Sequence, residues 1–66
     1  MFTICSVNAQ GIPNYYTGRA GDGWVSSVET EAFVYDTREG AAHRAENFNL
    51  MTPVHGLNFT LVGIEV

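Results

Sequence analysis

With 66 residues, 45% of them hydrophobic and carrying one Trp, three Tyr and four Phe, the chain is a single small domain, residues 1–66, near the lower limit for a self-sufficient core. Seven acids face three bases, all arginine (Arg19, Arg38, Arg44), for a formal net charge of −4; this excludes the basic stripe that direct binding to a phosphate backbone requires. The lone Cys5 excludes an internal disulfide and a cysteine-based metal cluster, and suits a reducing cytosol.

The opening run MFTICSV is uncharged and too short to read as a signal peptide. No stretch approaches the ~18 apolar residues of a membrane span. The expectation is a soluble, cytoplasmic protein without a membrane partner.

In chain order, Phe2-Thr3-Ile4-Cys5-Ser6-Val7 is β-branched and alternating, which predicts a strand. Asn8 to Asn14 carries turn residues and Pro13, and leads to a second strand at Tyr15-Tyr16-Thr17. Gly18 to Gly23 is a glycine-rich loop, but it lacks both phosphate-cradling patterns and runs into Trp24-Val25-Ser26-Ser27, so it reads as a hairpin turn. Trp24, the single tryptophan, reads first as a core anchor and second as an interface residue. Val28 to Glu31 is a polar connection to a strand at Ala32-Phe33-Val34-Tyr35.

At Asp36-Thr37 the period changes from two to about 3.6, with Ala41, Ala45 and Phe48 at i, i+4 and i+7. Asp36 and Thr37 are both N-cap candidates, and Asp36 with Glu39 has capping-box spacing. Asn49 is the expected left-handed cap and Pro53 the stop. Gly40 is expected to thin the helix against a sheet. Val54-His55-Gly56 then turns the chain into a final strand, 57–66. Its apolar phase slips after Leu61, as a bulge near Val62-Gly63 or a central strand buried on both faces would require.

The predicted fold is α+β: a small, mostly antiparallel sheet of four or five strands with one helix on one face, in the order β-β-β-β-α-β. The second and third strands are either separate or one bent strand. The other sheet face has no cover. If it carries Tyr15 or Tyr16 and Phe33 or Tyr35, it invites a second copy.

Catalytic chemistry finds little support. Glu39 and His43 sit one helical turn apart, as surface neighbours commonly do. His43 and His55 have no third ligand at a recognisable spacing. Cys5 lies in a strand and reads as a small buried hydrophobe. No carboxylate pair stands in an apolar setting. The expectation is a non-enzyme with no metal and no cofactor.

Five of the seven acids, Asp22, Glu29, Glu31, Asp36 and Glu39, fall in one stretch with Arg38 as its only base. Such a run is either a solvated face or an acidic surface for a basic partner.

The frame Tyr16-Thr17-Gly18, Trp24, Ala32-Phe33-x-x-Asp36 and Ala41-x-x-x-Ala45, spanning residues 15–48, resembles small acidic accessory proteins of phages and prophages, the class that includes anti-CRISPR proteins. The resemblance implies no catalytic residue. It implies an inhibitor that offers its acids, with Tyr16 and Trp24 beside them, to a host protein's basic nucleic-acid-binding surface, acting as a monomer or homodimer in the host cytoplasm. The alternative is an assembly module that homodimerises through the uncovered sheet face.

Overall fold

The computed structural model describes residues 1–63. Its antiparallel sheet consists of β1 (Phe2–Val7), β2 (Pro13–Tyr16), β3 (Val25–Ser26) and β4 (Thr60–Gly63), in the order β3-β2-β1-β4. The main helix α1 (Arg38–Leu50) and the single-turn α2 (Thr52–His55) complete the α+β architecture. β1 is central because its residues are the most consistently apolar or small, and Thr3 to Ser6 are all buried. The β1–β2 turn is built by Asn8, whose Oδ1 accepts from the Gln10 and Ile12 N–H groups at 2.9 and 3.0 Å. β2 and β3 pair antiparallel, Tyr15 opposite Ser26 and Tyr16 opposite Val25.

The α1 stripe falls where the periodicity puts it: Ala41, Ala45 and Phe48 are its buried residues. They meet Ile4 and Phe59, with Phe2, Tyr16, Trp24, Val25 and Leu61 packed around them. Phe48 is the hub. Its ring lies 4.9 Å from that of Tyr16, 5.5 Å from Trp24 and 5.1 Å from Phe59, centroid to centroid. The strand period assigns Thr3, Cys5, Tyr15, Ser26, Thr60 and Val62 to the opposite face. None of these belongs to the cluster around α1.

Several local expectations are corrected. Residues 32–35 do not form a fifth strand; Tyr35 makes one antiparallel bridge with Phe2, and the Phe33 N–H donates to the Tyr16 carbonyl at 2.8 Å. The register of β2 with β1 ends at Tyr15, opposite Cys5, and this segment takes up backbone groups of Phe2 and Tyr16 beyond it. Thr37 alone caps α1, accepting from the Gly40 N–H at 3.1 Å, so the Asp36–Glu39 capping box is not formed. Gly40 lies in the first turn, where an added Cβ would stand 3.2 Å from Thr37 Oγ1 and 3.6 Å from the Tyr35 ring. Its smallness serves the cap and that ring, not a close approach to the sheet.

Asn49 is helical, not left-handed, because its side chain is engaged elsewhere. Its Nδ2 donates to the Phe59 carbonyl at 3.0 Å and its Oδ1 accepts from the Phe59 N–H at 2.7 Å. α1 ends at Leu50 with Met51 as its C-cap, and Pro53, two residues past that cap, stands where it bars continuation; it also falls in the first turn of α2, where a missing N–H costs nothing. The left-handed cap is Gly56, at φ 74°. β4 is an edge strand, not a central one, and Leu57 to Phe59 precede it as an irregular connection. The remainder of the predicted last strand, 64–66, lies outside the described residues.

Candidate functional site

The acids are placed on irregular segments and a helix start, not on the sheet. Asp22 is exposed in a 3-10 turn, Gly21–Gly23, between β2 and β3. Glu29 and Glu31 share a second 3-10 turn, Glu29–Glu31, where a polar connection was expected. Asp36 and Glu39 are exposed on either side of the Thr37 cap, and Glu39 in the first turn complements the helix dipole. Glu29, Glu31 and Asp36 thus lie on one segment, 28–36, with no base among them, while Asp22 belongs to a different loop.

That segment is braced along its length. The Ser26 hydroxyl accepts from the Val28 N–H at 3.1 Å. The Glu31 and Ala32 N–H groups donate to the Val28 and Glu29 carbonyls, each at 3.0 Å. Tyr35 exchanges both backbone hydrogen bonds with Phe2, at 2.7 and 2.9 Å. Phe33 leans over Gly18, where a Cβ would come within 2.5 Å of the ring, and Gly18 holds φ 80°. A glycine is therefore required there on two counts.

Glu31 is the one acid of the set already occupied. The Ser26 hydroxyl donates to it at 2.6 Å and Arg19 pairs with it at 3.2 Å. The hydroxyl first, and then the guanidinium, hold its carboxyl below the usual range. The stability this contributes is present above the ordinary carboxylate pKa and lost as pH falls through the lowered value. Both side chains of the Arg19–Glu31 pair are well exposed, so the effect is small.

The segment also exposes apolar surface that strand periodicity concealed: Val28, Phe33 and Val34 are 49%, 45% and 44% exposed. The signal for this was available in the acids at 29, 31 and 36, which flank a short apolar run too isolated to pair along its length. Tyr16 and Trp24 are half-buried and packed on Phe48, so most of their ring surface is engaged internally. Of the two adjacent tyrosines it is Tyr15 that occupies the face without a helix. Burial pushes its phenol up, and the negative charge of Glu29 adds to the shift.

The other chemistry-bearing groups are quiet. Cys5 is 4% exposed, and burial pushes its thiol up against a smaller opposing effect of the Thr60 hydroxyl, which leaves the nucleophilic thiolate scarce at neutral pH. His43 is exposed on α1 and His55 is half-buried at the end of α2. Among the described residues no group of three or more His, Cys, Asp or Glu is arranged to hold a metal, and no helix is long and apolar enough to cross a membrane. Comparison with protein-family models, curated proteins and solved structures finds no match.

Proposed function

We propose that this chain is a non-enzymatic binding protein of the anti-CRISPR-like kind. It lays an acidic surface over a basic, nucleic-acid-binding site of a host protein complex in the cytoplasm, and so keeps nucleic acid out. The observation that supports this reading is the braced segment 28–36, which sets Glu29, Glu31 and Asp36 beside exposed Phe33 and Val34. Charges on a hydrogen-bonded backbone have less conformational freedom to lose on binding. Apolar residues between them supply contact area that a merely solvated face has no need of.

The test reverses Asp22, Glu29 and Asp36 to lysine together. Asp36 is usable because Thr37 forms the cap. Glu31 is spared because Ser26 and Arg19 hold it, and Glu39 because it serves the helix start. Stability should change by about 1 kcal/mol or less, as exposed substitutions usually allow. Affinity for the complex captured by the wild type from host lysate should fall at least tenfold or so at low salt, mainly through slower association, and the gap should narrow as salt rises. Duplex DNA should compete with the wild type. A triple variant that binds as well as the wild type at low salt would reduce the acids to solvation.

A further inference from the structure

Three side chains hold the connection from α2 to β4: Asn49 holds Phe59, the Thr52 hydroxyl donates to the Leu57 carbonyl at 3.2 Å, and His55 takes the Leu57 N–H. The His55 Nε2 lies 2.8 Å from the Phe48 carbonyl oxygen, and the Leu57 N–H reaches its Nδ1 at 3.0 Å. A carbonyl only accepts and a backbone N–H only donates. Nε2 therefore carries the proton and Nδ1 is a bare acceptor. The neutral Nε2–H tautomer is the one form of the ring that satisfies both contacts. The ring also packs against Trp24, Phe48 and Phe59, at centroid distances of 5.4, 6.2 and 6.1 Å, and turning it outward would give up those contacts.

We infer that His55 is a proton-operated clasp: when its ring takes a second proton, the Leu57 N–H is released, while the Thr52 hydroxyl keeps its hold on the Leu57 carbonyl. That proton can go only on Nδ1, where it confronts the Leu57 N–H. Two donors cannot share the contact, so the Leu57 amide must move away. Gly56, at φ 74° with nothing within 4 Å of a would-be Cβ, is the hinge that lets it. The same proton strengthens the Nε2–H bond to Phe48 and turns the ring into a cation beside the Trp24 indole. The ring stays seated while the Leu57 N–H turns away. Because these effects oppose one another, the response is expected at Leu57 and not in the stability of the whole fold.

Among the described residues, the charged surroundings do not supply an alternative partner. Among the described residues the only ion pair is Arg19–Glu31, so no carboxylate pairs with His55. Arg44 lies over the Phe48 ring, 5.8 Å from its centroid. Asp22 lies in the turn preceding Trp24, and neither α2 nor β4 carries another titratable side chain among the described residues.

NMR on the full chain decides it. At about pH 7.5 the His55 nitrogens should report the Nε2–H tautomer. Between about pH 7.5 and about pH 5, which spans ordinary imidazole protonation and stays above the carboxylates, the amide protection factor of Leu57 should fall by about tenfold or more. That of Ala45, inside α1, should hold within about twofold. In His55→Asn, whose Oδ1 can accept from Leu57 and does not titrate, Leu57 protection should be independent of pH. In His43→Gln the wild-type response should persist. Leu57 protection that survives a protonated His55 ring overturns the inference, as does a ring still neutral at about pH 5 or one found as the Nδ1–H tautomer.

Discussion

Phe48→Ala should remove a large share of the protein's stability, about 3–5 kcal/mol. The ring it removes is buried and touches Tyr16, Trp24, His55 and Phe59, so it joins α1 to both halves of the sheet and to α2. Truncating a buried phenylalanine costs about 3–5 kcal/mol, made up of lost transfer energy and the cavity left behind. A domain of this size has about 3–10 kcal/mol in total. Phe48→Leu, which keeps much of the volume, should remain folded with a lower urea midpoint. A midpoint for Phe48→Ala within about 1 kcal/mol of wild type would mean that the hub lies elsewhere in the aromatic cluster.

Asn49→Ala should cost about 2–4 kcal/mol although the residue is exposed. The side chain acts as a short surrogate strand, donating to and accepting from the same residue, Phe59, which is 3% exposed. Its removal leaves a backbone N–H and a C=O without partners, and each such group costs about 1–3 kcal/mol, at the lower end where water can reach it. Asn49→Asp keeps the acceptor and loses the donor, so it should fall between the two. Amide exchange gives the local readout: Phe59 protection should collapse in Asn49→Ala and survive in part in Asn49→Asp. Full protection of Phe59 in Asn49→Ala would show that the clamp is dispensable.

Both predictions rest on one helix, and they divide sharply in how legible they were. The stripe Ala41, Ala45 and Phe48 was readable from spacing alone, because a helix that must bury one face repeats its apolar residues at 3.6. The α+β class followed, since a single helix and several alternating strands have one economical way to cover each other. The clamp was not readable. Asn near a helix end has an intrinsic preference for the left-handed cap, and a partner ten residues downstream overrode it.

The candidate site divides in the same way. Composition and residue order by themselves determined that the chain is acidic, that five of its acids cluster between Asp22 and Glu39, and that no lysine could neutralise them. Only the tertiary structure decided how the segments that carry them are held. It set Glu29, Glu31 and Asp36 on a braced segment, tied Glu31 to Ser26 and Arg19, and left Asp22 on another loop. It also turned Phe33 and Val34 from an expected strand into exposed residues between the acids. The physical reason is that strand formation is a pairing decision. Alternation in sequence marks residues that fit a pleated surface, but whether they become a strand depends on a free backbone edge along their whole length, and β1 offers Tyr35 only the groups of Phe2. Helix periodicity is satisfied within its own segment, so sequence carries it; strand pairing and side-chain clamps are satisfied by residues far along the chain, so only the folded structure can decide them.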